Sequence, residues 1–213
     1  MHLTVSEITH AFGARQLFEN LSLRVSSGEM MALMGPSGAG KSTLLSMIAG
    51  VAEPDAGSIT FDSPHNPRIV WIVQSTPLLP RRTALENVRL GPLSEGLTLQ
   101  EADSRALAAM QHLGVRHTAT TKVFRLSGGE RQRLAVARAV ASSADVILAD
   151  EPTASLDPAT RSEVITALRV AANVGVMVIV STHDMAVARL CDRVSNLADG
   201  ALLTGTPQPA GTS

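Results

Sequence analysis

With 213 residues, 45% of them hydrophobic, the chain is long enough for one domain with a sizeable core. Eighteen basic side chains against nineteen acidic ones leave a net charge of -1, which argues against electrostatic capture of nucleic acid or of an anionic membrane. The single cysteine, Cys191, excludes an internal disulfide and reads as a small buried apolar residue.

The stretch Met1 to Glu7 has neither the basic start nor the apolar core of a signal peptide. Apolar runs such as Val176 to Val180 fall far short of the roughly 20 residues that a membrane helix needs. A role at a membrane would require another chain to supply the span.

Leu3 to Ile8 partly alternates and Leu21 to Val25 alternates cleanly, as half-buried strands do. Three apolar runs, Met30 to Met34, Val146 to Ala149 and Val176 to Val180, read as parallel strands buried on both faces. The first runs into Gly35-Pro36-Ser37-Gly38-Ala39-Gly40-Lys41-Ser42, which fits the phosphate-loop pattern G-x-x-x-x-G-K-[ST]. A helix over Thr43 to Gly50 completes the strand–loop–helix context. The glycines let successive N–H groups face a phosphate, and the helix start adds partial positive charge. Lys41 would neutralise β- and γ-phosphates, and Ser42 would give Mg²⁺ an oxygen.

Ile59 to Phe61 and Ile69 to Val73 are further strands, separated by a turn with Pro64, Asn66 and Pro67. Gln74 follows the second, where its amide suits Mg²⁺ or an attacking water. From Pro77 to Arg125 the pattern turns helical, with Ala84 to Leu90 and Gln100 to Leu113 as helices and no convincing strand. Ser127-Gly128-Gly129-Glu130 matches a capping box before a helix over Leu134 to Val140. Two glycines weaken a first turn by up to about 1 kcal/mol each, so capping alone does not account for them. A bare helix start that an anion approaches accounts for both features.

The strand Val146 to Ala149 ends in Asp150-Glu151. Alternation predicts that these carboxylates face different sides, Asp150 for Mg²⁺ and Glu151 as a general base for water. Asp157-Pro158 reads as a helix N-cap with proline at the first position. His183, after the last buried strand, is either a structural histidine or a hydrogen-bond partner of a γ-phosphate oxygen. The segment after Leu203 has the composition of a disordered tail.

In this order, from about Leu3 to Gly200, the motifs resemble the ATPase domain of ABC transporters. The resemblance implies an α/β P-loop NTPase with a RecA-like core, a small antiparallel β subdomain and an inserted α-helical subdomain. It divides a single domain, residues 1–203, into core and β subdomain (1–75 and 129–203) and helical subdomain (76–128), before a tail at 204–213. It makes Gly35, Pro36, Ser37, Gly38, Ala39, Gly40, Lys41, Ser42 and Thr43 the ATP phosphate site and Leu126 to Glu130 the signature loop. Val146 to Asp150 then resembles the Walker B strand. Ser42, Gln74 and Asp150 would hold Mg²⁺, and Glu151, Gln74 and His183 would act in catalysis. Ser155-Leu156-Asp157 resembles the D-loop, and Phe12 stands where the family places an aromatic on adenine, with a core phenylalanine as the other reading.

The family pairs two such domains head to tail. Each ATP then lies between the phosphate loop of one and Ser127, Gly128, Gly129, Glu130 and Asp157 of the other. The implied partners are a transmembrane permease and a second ATPase domain, homodimeric or paralogous, with no nucleic acid. The implied place is the cytoplasmic face of the membrane. Leu78-Leu79-Pro80 and Thr83 to Val88 resemble the ATPase subunits of lipoprotein-releasing and macrolide or peptide exporters. Those usually carry Gly-Asn-Leu-Asp where this chain has Ala154-Ser155-Leu156-Asp157, and a longer stretch between Phe61 and Ile69. The Lys41 to Ser127 interval is too short for the coiled coil of DNA-repair members. A soluble iron–sulfur assembly ATPase and a module that drives a membrane partner without moving substrate are the alternatives.

Overall fold

In the computed structural model, which describes residues 1–13, 15–73, 78–154, 156–198 and 200–205, the first two strands are longer than alternation predicts. β1 (His2–Phe12) and β2 (Arg15–Ser26) pair antiparallel, with Leu3 opposite Val25 and Val5 opposite Leu23. Glu7 has a φ of 50° and marks a register shift, so the buried series runs Leu3, Val5, Ile8. One inserted residue breaks the period of two and hides the rest of the strand from a pattern search.

β3 (Met30–Met34) is wholly buried and leads through the phosphate loop into α1 (Lys41–Ile48). β4 (Ala56–Phe61) adds to β1, giving a three-stranded sheet in the order β2-β1-β4. β5 (Ile69–Ile72) opens the second sheet. The helical segment follows with α2 (Ala84–Val88), α3 (Leu90–Ser94) and α4 (Leu99–His112). The helix expected over Ala84 to Leu90 thus breaks in two at Arg89. Pro92 brings no N–H to a continuing helix, and a Cβ on Gly91 would lie 2.3 Å from Ser142 Cβ. Among the described residues of this segment, the only pairing of strand type is a bridge between Thr83 and Lys122.

α5 (Gly128–Ala141) precedes β6 (Val146–Asp150), α6 (Pro158–Asn173), β7 (Met177–Thr182), α7 (Met185–Ala188), β8 (Arg193–Ala198) and β9 (Ala201–Gly205). β9 reaches two residues past Leu203. The six-stranded sheet has the order β5-β6-β7-β3-β8-β9, parallel except for the β8–β9 pair.

Both faces of this sheet are covered, which explains its continuous apolar runs. Met30, Ala32 and Met34 join one core with Ile147, Val178 and the inner faces of α5 and α6. Met31 and Leu33 join the other with Val146, Leu148, α1 and the antiparallel sheet. The parallel strands deliver β3, β6 and β7 to one edge, where ligands of open α/β sheets sit.

Candidate nucleotide site

Gly35 leaves β3 with a φ of 154°, and a Cβ there would stand 2.5 Å from the Leu197 carbonyl of β8. At Gly40, φ is 100° and a Cβ would come within 2.7 Å of the Phe18 ring. Both positions require glycine on conformational and steric grounds. The loop therefore rests directly on its own scaffold.

Lys41 is buried, and its Nζ donates to Gly35 O at 2.8 Å and to Pro36 O at 3.1 Å. Glu151 Oε1 lies 3.7 Å away. The ammonium is thereby held across the mouth of the loop, its burial offset by two acceptors and a carboxylate.

Asp150 and Glu151 face the same cleft, not opposite sides of the sheet. Strand geometry stops at Asp150, and Glu151 adopts a φ of 47°, which turns its side chain back toward the cleft. Such a backbone costs on the order of 1–3 kcal/mol and persists only where surroundings hold it. Ser181, fully buried opposite Asp150 on β7, does the holding. Its hydroxyl donates to Asp150 Oδ1 and accepts from Glu151 N–H at 3.0 Å. The two carboxylates are distinguished by their partners: Asp150 has Ser181, while Glu151 has Lys41 and His183. His183 Nδ1 lies 3.0 Å from Glu151 Oε2 and 3.1 Å from Oε1.

The cleft has a volume of about 730 Å³ and brings together Ser37, Gly38, Gly40, Lys41, Ser42 and Thr43 with Asp150, Glu151 and His183. Gly35, Pro36 and Ala39 belong to the same loop without lining the cleft. Phe12 stands at its edge with 62% of its surface exposed, so the core reading of this residue is overturned. Its ring meets His10 edge to face at 5.0 Å. Arg15, which the motifs do not mark, lines the cleft and donates to Gly38 O at 3.2 Å. Ser181 was equally invisible, because a lone sequence does not show that β6 and β7 are neighbours. Gln74 and Ser155 lie outside the described residues.

Ser127, Gly128, Gly129, Glu130 and Asp157 do not line this cleft. Ser127 caps α5: Glu130 N–H donates to its hydroxyl at 3.2 Å, and Ser127 N–H donates to Glu130 Oε2 at 2.8 Å. That second bond, more than any other contact, holds the Glu130 carboxyl below its ordinary value. Ser127 and Gly128 are exposed at the helix start.

Gly129 is buried for a reason capping does not reveal: a Cβ would lie 2.0 Å from Thr160 Cγ2. The glycine pair is therefore not explained by access for an anion alone, since the second member admits α6. Asp157 caps α6 through Ala159 and Thr160 N–H, both at 3.1 Å, and accepts from the Thr160 hydroxyl at 2.6 Å. That hydroxyl is the main cause of the lowered Asp157 pKa.

A glycine loop with a buried lysine, facing two carboxylates at the edge of a parallel sheet, defines a P-loop nucleoside-triphosphatase. Residues 18–154 match the ABC transporter family. The chain is 37% identical over 210 residues to the lipoprotein-releasing system ATP-binding protein LolD of Bacteroides fragilis, covering 92% of this chain and 97% of that one. A dimeric ATP-binding cassette, MJ0796 in a post-hydrolysis state with ADP and Pi, superposes with a TM-score of 0.80. It is 32% identical, over 97% of this chain and 99% of that one. The cassette cbiO1 of Clostridium perfringens, part of the ABC transporter complex cbiONQ, gives 0.88 at 27% identity, over 96% and 88%. The chain belongs to the ABC transporter family and is an ATP-binding, ATP-hydrolysing subunit of such a transporter. This favours the transport reading over a soluble assembly ATPase.

Proposed function

We propose that this subunit drives an exporter of the lipoprotein-releasing type, working as one of two ATPase domains beneath a transmembrane permease at the cytoplasmic face of the membrane. The observation that carries this reading is the helix start at Ser127 to Gly129. Ser127 and Gly128 are exposed there, the capping box between Ser127 and Glu130 closes within the chain, and the helix start lies outside the cleft of its own chain. An anion at that start would come from a second copy or a close paralogue. The likeness to LolD supports the class of cargo.

In this scheme the loop from Gly35 to Thr43 wraps the phosphates of ATP, and Phe12 stacks on the adenine. Lys41 transfers its donors from the loop carbonyls to phosphate oxygens. Ser42 and Asp150 offer hard oxygens on the same cleft, a donor set that fits Mg²⁺. The ion, when bound, neutralises phosphate charge. Glu151 accepts the proton of the attacking water, and His183 orients the water against the γ-phosphate. Gln74, which follows β5 in the sequence, would contact Mg²⁺ or that water. Ser127 to Glu130 and Asp157 complete the site of the opposite copy. Loss of the γ-phosphate contact releases the pair and moves the permease.

The test is Glu151→Gln. Turnover should fall about 10²–10⁴-fold, with ATP trapping a dimer visible by light scattering. Normal turnover without a trapped dimer would refute both the base assignment and the head-to-tail pairing. Recovery of a multi-span protein from detergent-solubilised membranes tests the permease.

A further inference from the structure

The first turn of α6 joins three segments with separate roles. Arg161 Nη1 donates to Asp184 Oδ2. Its Nη2 donates to Leu156 O at 3.4 Å. Leu156 precedes the α6 cap Asp157, and Asp184 follows His183. Asp184 is fixed independently: Oδ1 accepts from Ala186 N–H at 2.7 Å, and its own N–H donates to Thr182 Oγ1 at 3.0 Å. Ala154 N–H donates to Glu151 O at 3.2 Å and Leu156 N–H to Thr153 O at 3.1 Å, so these hydrogen bonds tie Leu156 to the Glu151 turn, and Arg161, Asp184 and His183 lead back to Glu151. Thr160, one residue earlier, bonds Asp157 and lies against Gly129 at the start of α5.

We infer that Arg161 is a positioning residue for hydrolysis: its guanidinium holds the turn bearing His183 in register with the chain segment that begins at Glu151. The inference rests on the reading of Glu151 and His183 as the hydrolytic pair. Arg161 and Asp184 are both partly buried, with 31% and 24% of their side chains exposed, so water screens this pair less than a surface bridge. Arginine is required because its planar fork reaches two acceptors at once, whereas a lysine ammonium on a flexible stem does not hold both in a fixed geometry.

The experiment compares Arg161→Ala, Arg161→Lys, Asp184→Asn and the double variant Arg161→Ala/Asp184→Asn in the full chain, measuring kcat, KM and ATP affinity. Each single variant should lower kcat about tenfold, within the range that coupling residues reach. KM and ATP affinity should stay within about twofold. The double variant should be no slower than Arg161→Ala alone, because both changes cut the same link. If Arg161→Lys restores wild-type kcat, or the single effects multiply, the inference is overturned. If Arg161→Ala does not fold, Arg161→Lys and Asp184→Asn decide the matter by the same criteria. A slow Glu151→Gln beside a wild-type Arg161→Ala removes this inference and leaves the hydrolytic pair. A fully active Glu151→Gln removes the pair itself.

Discussion

Gly129→Ala sets two opposed effects against each other. Alanine favours the helix over glycine by about 1 kcal/mol. Its Cβ, however, would stand 2.0 Å from Thr160 Cγ2. Thr160 does not simply rotate away, because its hydroxyl is bonded to Asp157 Oδ2 at 2.6 Å and its side chain is β-branched. Overpacking of this kind costs about 1–3 kcal/mol, which leaves a net loss of about 0–2 kcal/mol after the helix gain. For a chain of this size, that lowers Tm by up to about 8 °C. Thr160→Ser removes the offending methyl and keeps the hydroxyl. The nearest remaining atoms are then Cβ at 3.4 Å and Oγ1 at 3.7 Å, an ordinary contact. Gly129→Ala/Thr160→Ser should therefore recover the Tm of Thr160→Ser or exceed it by a few degrees. Thermal denaturation of all four proteins without nucleotide is the assay. A Gly129→Ala Tm above wild type, or a double variant no better than that single one, would refute the packing account of this glycine.

Ser127→Arg should abolish the ATP-dependent dimer and turnover while leaving ATP affinity of the single chain within about twofold, measured by calorimetry; loss of ATP binding by the monomer would refute the two-copy site. Ser181→Ala leaves Asp150 Oδ1 without its donor and Glu151 N–H without one acceptor, so stability should fall by about 1–3 kcal/mol in urea titrations, with kcat falling as well. The capping carboxylates make stability acid-sensitive. Hydrogen bonds donated to Glu86, Glu101, Glu130 and Asp157 hold each below its ordinary value, which is 4.5 for the glutamates. The native state then binds fewer protons than the unfolded chain, so their contribution is complete above pH 4.5 and is lost as pH falls through the lowered values. Glu130→Gln should flatten the fall of Tm between about pH 5 and 3; an unaltered slope would refute the contribution of that box.

The sheet core and the phosphate loop were legible because each has a local cause. Met30 to Met34 is apolar at every position since both faces are covered, and a glycine loop must follow where the backbone meets Leu197 and Phe18. The helix caps read at Ser127 and Asp157 form as local sequence rules describe, while those at Thr83 and Thr98 follow the same rule and were not read. What escaped the sequence depends on contacts distant in the chain or on one irregular residue. The bulge at Glu7 concealed half of β1, and Gly91-Pro92 split a helix that periodicity runs together. The left-handed Glu151 defeated the alternation rule at the position where it mattered most. Ser181 and Thr160 act across chain separations of about thirty residues, and no local pattern marks their partners.

α2, α4 and α5 each begin with the same reciprocal arrangement, Thr83 with Glu86, Thr98 with Glu101 and Ser127 with Glu130. Each box ties the first turn to itself, using no group from a neighbouring chain. The start of α5 is thus pre-organised before any second domain arrives, and its ordering entropy is lost at folding rather than at association. A phosphate docking there, as proposed, would meet a surface that needs no further ordering.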